Sequence, residues 1–178
     1  MRSRYLAVGI FSFVFAFVSL MAARQDKSAR PSPPGTAEVT LKGKKITIEY
    51  GRPSMKGRKI MGGLVPYGKV WRTGANEATT LITEADLNIG GAEVPAGKYT
   101  LYTLPSEGTW KLIINKQTGQ WGTVYNEGQD LVRVDLKKSS LNQPVEQFTI
   151  SFKKSNDSAA DLVLQWETTG LSAPVKAK

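Results

Sequence analysis

The chain has 178 residues, enough for one ordinary domain with its own core and too few for two comfortable ones. It holds neither Cys nor His, which excludes disulfides, a thiolate nucleophile, an iron–sulfur site, and the commonest general base and zinc ligand. The formal charge of +9 is spread along the chain, which fits solvated lysines better than a nucleic-acid groove.

Residues 1–23 read as an export signal. Arg2 and Arg4 precede an uncharged apolar run from Leu6 to Leu20, and Ala22 and Ala23 come before the charge at Arg24. An uncleaved N-terminal anchor is the alternative, although the run falls short of the ~20 residues of a full span. Either way the expected location is periplasmic or extracellular. Residues 24–36 (RQDKSARPSPPGT) are rich in Pro and Ser and are expected to form an extended or mobile linker.

The folded domain is expected at 37–170, and its signals are β. Glu38 to Lys42 and Lys45 to Tyr50 alternate apolar and polar residues around a tight turn at Gly43-Lys44. Further period-two runs follow at Ala78–Glu84, Ala85–Ile89, Ala92–Val94, Lys98–Leu104, Trp110–Asn115, Leu131–Leu136, Val145–Lys153 and Asp161–Glu167. The apolar spacing is two almost everywhere, so no amphipathic helix is predicted. Short strands punctuated by Gly and Pro predict an all-β, single-domain antiparallel β-sandwich of about nine strands, with two long ordered loops. Residues 171–178 are expected to be a disordered tail.

The loops hold the candidate chemistry. Arg52 to Asn76 has no period, yet Leu64, Val65, Tyr67, Val70 and Trp71 argue that it is ordered. Its basic residues match no phosphate-loop spacing. Trp71, Arg72, Asn76 and Glu77 set an aromatic, a guanidinium, a carboxamide and a carboxylate within a few residues, a set that suits a sugar or small polar ligand. The competing reading makes Trp71 a plug of the sandwich end and pairs Arg72 and Glu77 with each other or with backbone. Lys116 to Asp130 is the second loop, and its Trp121 and Tyr125 either add an aromatic wall or staple the loop to the core. The proposed ligand set is Arg52, Tyr67, Trp71, Arg72, Asn76, Glu77, Trp121, Tyr125 and Arg133, with the three loop aromatics expected to converge at one rim. No metal, cofactor or catalytic residue is predicted.

The stretches TIEYGRPSMKGRKIMGGLVPYGKVWRTGANEATT, PAGKYTLYTLP, and WKLIINKQTGQWGTVYN followed by DLVRV closely resemble the DUF2911 family, exported bacterial proteins of unassigned function. The resemblance covers roughly Ala37 to Glu167 and implies an exported, all-β single domain. It transfers no catalytic residue. Three functions therefore stand. The first is a binding module for a small polar ligand or glycan. The second is a hydrolase using Glu77 with Glu49, Glu127 or Asp130. The third is a structural or protein-interaction domain of the envelope. No nucleic acid is expected as a partner, and no membrane beyond the N-terminal signal. The oligomeric state is not legible.

Overall fold

The computed structural model describes residues 29–178. The expected export signal, residues 1–23, and residues 24–28 of the expected linker lie outside the described residues. Nine strands follow: β1 Pro34–Leu41, β2 Lys44–Gly51, β3 Thr80–Thr83, β4 Leu87–Ile89, β5 Ala92–Val94, β6 Gly97–Leu104, β7 Trp110–Asn115, β8 Asp130–Lys154 and β9 Ala159–Ala177. Their order in space is β1-β2-β3-β6-β7-β8-β9-β4-β5, every neighbour is antiparallel, and the sheet does not close into a barrel. The only helical element among the described residues is one 3₁₀ turn at Glu127–Gln129.

The β1–β2 turn is set one residue earlier than the sequence suggests. Leu41 pairs with Lys44, so the corner residues are Lys42 and Gly43, with φ of 48° and 71°. Two left-handed residues make the corner whose twist matches the strands it joins, and Gly43 adopts that region without Cβ strain.

The sheet folds into two layers because β8 belongs to both. Its first part pairs with β7 from Asp130 to Leu136, and the rest pairs with β9 from Lys137 to Lys154. The register slips between Ser140 and Val145 and again between Val145 and Thr149. Such bulges bend a strand and increase its twist. The expected strands at 131–136 and 145–153 are thus two limbs of one 25-residue strand.

Between the layers, Ile46, Leu81 and Leu101 of the first face Leu87, Leu162 and Val175 of the second around a small apolar gap. Alternation produces this core. On β2, Ile46, Ile48 and Tyr50 are buried while Lys45 and Glu49 are exposed.

The tail is a correction. Residues 171–178 are not disordered: β9 runs on to Ala177, pairing Val175 with Ile89 and Ala177 with Leu87. Leu171, Ala173, Val175 and Ala177 are all buried, and the more exposed Ser172, Pro174 and Lys176 between them preserve the period of two. Burial of this apolar row also holds β4, whose three residues have β9 and the short β5 as their strand partners. The linker is likewise shorter than expected, since β1 begins at Pro34 and the Pro33 carbonyl accepts a hydrogen bond from Arg52 N at 2.8 Å.

Candidate functional site

The two long loops fold onto the first layer and onto each other. The first leaves β2 and runs briefly beside β8, with Met55 N donating to Glu146 O and Phe148 N to Pro53 O, 2.8 and 2.9 Å. It then crosses to β6, where Trp71 and Thr103 exchange backbone hydrogen bonds of 2.8 and 2.9 Å. Finally it meets the second loop: Ala78 N donates to Gln120 O at 3.2 Å and Gly122 N to Asn76 O at 3.0 Å, an antiparallel bridge between Glu77 and Trp121.

These connections sort the nine candidate residues into four places. Trp71 lies with the core aromatics at the sandwich end. It stacks on Trp166 (centroids 5.7 Å, planes 18° apart) and sets an edge against Phe148 at 5.0 Å. Tyr67, partly buried against the same core, has its ring beside Gly62.

Arg72, Asn76, Glu77 and Trp121 meet at the loop–loop seam. A Cβ on Gly122 would sit 2.7 Å from Arg72 Cδ and 2.8 Å from the Asn76 carbonyl, so only glycine lets the arginine stem and the backbone come this close. Arg72 Nε donates to Gly74 O at 3.2 Å. Asn76, at φ 65°, donates from Nδ2 to Ser32 O at 2.9 Å. Glu77 pairs with Arg30, whose Nη1 lies 2.9 Å from both carboxylate oxygens, and not with Arg72. Trp121 is 49% exposed.

Tyr125 and Arg133 form a third group. Tyr125 donates its hydroxyl to Asp130 Oδ2 at 2.7 Å, and Arg133 Nη2 bonds Tyr125 Oη, Asp130 Oδ2 and Glu127 Oε1 within 2.7–2.8 Å. Burial, then the Asp130 carboxylate, push the Tyr125 phenol up to about 12. The same carboxylate holds the Arg133 guanidinium above its ordinary value. The ring of Tyr125 meets Tyr102 edge-on at 4.9 Å, and Tyr102 donates to Val124 O at 2.6 Å. Arg52 stands apart in the fourth place, its side chain lying over Gly35 and beside Tyr50.

The three aromatics expected at one rim therefore fall into separate settings. Trp71 faces the interlayer core. Tyr125 covers the other face of the first layer, where Tyr102 and Ile113 are also buried. Trp121 is open to solvent between them in the chain's path. The reason is the pleat. Trp71 pairs with Thr103 as a strand partner, so its side chain shares the Thr103 face, whereas the second loop bonds the side chain of the adjacent Tyr102, which points to the other face. Of the carboxylates named for a hydrolase, Glu77, Glu127 and Asp130 each have a guanidinium partner, and Glu49 is exposed beside Thr80 on the neighbouring strand. Among the described residues no group of three or more acidic side chains is placed to hold a metal ion.

Sequence reasoning missed several contributors. Gln120 donates from Nε2 to Thr100 Oγ1 and Tyr102 Oη, 3.2 and 3.1 Å, and Asn115 donates from Nδ2 to Asn126 O and Asp130 Oδ1, 2.9 and 2.8 Å. Thr100, Tyr102 and Asn115 carried a signal, because they share the face of β6 and β7 opposite Leu101 and Leu112. A face with a tyrosine and an asparagine needs a cover that can satisfy them. Arg30 carried none, since it lies in what reads as linker.

Residues 32–175 match the model of a family described as a protein of unknown function (DUF2911). The chain belongs to this DUF2911 family. Comparisons with curated proteins and with solved structures return no significant match. The family match runs from just before β1 to Val175, so it takes in all of β9 but its last two residues.

Proposed function

We propose that this DUF2911 chain is an exported, non-catalytic module that binds a small polar ligand or glycan at the loop–loop seam. One observation carries the reading. Trp121 presents half of its surface to solvent while its backbone is pinned on both sides by the Ala78–Gln120 and Gly122–Asn76 hydrogen bonds. An indole carried on an ordered backbone stacks on a sugar ring without the loop first losing mobility, which lowers the ordering cost of binding. Beside it the Arg72 stem packs on Gly122, and the Arg30–Glu77 pair adds a donor and an acceptor. Tyr125 and Arg133 support the loop from beneath and in this reading have a positioning role. The export component rests on the sequence of residues 1–23.

The test is a panel of neutral and acidic oligosaccharides titrated by calorimetry into the protein and its Trp121→Ala variant. Saturable binding that Trp121→Ala reduces at least tenfold at unchanged melting temperature supports the seam as the site. Binding indifferent to Trp121→Ala, or none across the panel, rejects it. The paired carboxylates give no observation that favours the hydrolase reading.

A further inference from the structure

From Gly51 to Asn76 the chain has six cations, Arg52, Lys56, Arg58, Lys59, Lys69 and Arg72, and no acid. Among the described residues none of the six forms an ion pair. The acids that reach this loop from the second layer are engaged with backbone. Glu146 Oε1 accepts from Lys56 N at 2.9 Å, and the two oxygens of Glu167 accept from Ile60 N and Met61 N at 3.3 Å each. Their hydrogen bonds shape the loop while Lys56, Arg58 and Lys59 stay exposed.

The tip has a defined form. Arg58 donates from Nε to Met55 O and from Nη2 to Ser54 O, 2.9 and 2.7 Å. Fully buried Ile60 and Val65 tie the turn down through Val65 N to Ile60 O at 2.9 Å. Leu64 N donates to Lys59 O at 3.2 Å, which sets Leu64, 46% exposed, directly across the turn from Lys59. A rigid tip thus carries an exposed leucine among cations that form no ion pair, with the Glu146 and Glu167 carboxylates held on its backbone N–H groups.

We propose that this tip, Lys56 to Leu64, is a docking surface for an anionic phospholipid bilayer. The cations would meet headgroup phosphates and Leu64 would enter the acyl boundary. Basic residues near such a surface attract it additively, and an apolar side chain beside them adds a contact that a soluble polyanion does not reward. The proposal departs from the sequence-based expectation of no membrane contact beyond the N-terminal signal. Lys56, Arg58 and Lys59 are already close in the sequence; the fold holds them exposed on one tied turn and directs Glu146 and Glu167 to its backbone N–H groups.

Flotation of the full chain with vesicles of phosphatidylcholine, with and without phosphatidylglycerol, tests this. Arg2, Arg4, Arg24 and Lys27 flank the apolar residues 6–20 and also favour anionic lipid, so the tip's share is read from its variants against the unchanged chain on the same phosphatidylglycerol vesicles. The expected result is preferential binding to phosphatidylglycerol vesicles that weakens with salt. Lys56→Gln with Lys59→Gln, which keeps the Arg58 contacts, lowers it by about fivefold per cation. Leu64→Ser weakens vesicle binding but leaves binding to soluble polyphosphate unchanged. Equal binding to both lipids, or wild-type binding by the double lysine variant, overturns the proposal. So does vesicle binding indifferent to Leu64→Ser, which would assign the tip to a soluble polyanion.

Discussion

Trp71 and Trp121 stand on loops that touch, yet their surroundings give them opposite work. Trp71 packs on Trp166 and Phe148, so Trp71→Ala is expected to cost about 3 kcal/mol of stability, the low end for a large aromatic because the ring is only partly buried. Trp121→Ala is expected to change stability by no more than about 0.5 kcal/mol, as for an exposed substitution. Urea unfolding of the two variants checks both values. Tyr125 gives a pH prediction. Its folded pKa is raised to about 12 from an ordinary value near 10, so the folded state holds the proton more tightly than the unfolded state. The stability it contributes is present in full below about pH 10 and is lost as pH rises towards 12. Ultraviolet difference titration should show this phenol ionising late, and Asp130→Asn should bring it down. Ionisation of every tyrosine near pH 10 would contradict the hydrogen-bonded knot. The composition of this site was legible, but its partners were not. Sequence spacing suggests that Arg72 and Glu77 pair with each other or with backbone; Arg72 does bond the Gly74 carbonyl, whereas Glu77 bonds Arg30, 47 residues away in the chain, a pairing no local pattern encodes.

The strands were the most legible elements, because one buried face imposes a period of two wherever it occurs. Strand ends were less so. The limbs of β8 look separate since residues 141–144 (LNQP) break the alternation, and the structure bridges them with bulges. The tail looked frayed because LSAPVKAK is short, small in side chain and last in the chain. Its alternation was nevertheless present in Leu171, Ala173, Val175 and Ala177. Deleting residues 171–178 should therefore uncover Leu87 and Ile89 and strip β4 of its longer neighbour. Each large apolar side chain exposed costs roughly 1.5–3 kcal/mol, so the truncated protein should melt at a markedly lower temperature or fail to fold. A melting curve unchanged by the deletion would show that β9 ends near Gly170. At the loop–loop seam, Gly122→Ala should cost about 1–3 kcal/mol through overpacking against Arg72 and the Asn76 carbonyl. It should also loosen Trp121, weakening ligand binding more than stability alone explains.

At the scale of the molecule, a single strand shared by two layers predicts a single unfolding event, because neither layer keeps its hydrogen bonds once β8 is lost. Tryptophan fluorescence and far-ultraviolet circular dichroism should trace coincident transitions. Non-coincident curves would mean that the layers melt separately. The two-layer plan was legible from strand number and punctuation, but which face each loop covers was not, since that depends on the register at which Trp71 meets Thr103 and Tyr102 meets Val124. This placement separates an outer-face site at the seam from a pocket at the sandwich end. The chain has four tryptophans, of which Trp110 and Trp166 are sealed and Trp71 belongs to the core aromatics, leaving Trp121 as the exposed one. The most direct measurement is an NMR titration following the four indole N–H signals as a bound oligosaccharide is added. A ligand at the seam shifts Trp121 first and most, with the other three nearly still. Leading shifts at Trp71 and Trp166, with Trp121 unmoved, would place the ligand at the sandwich end and contradict the account.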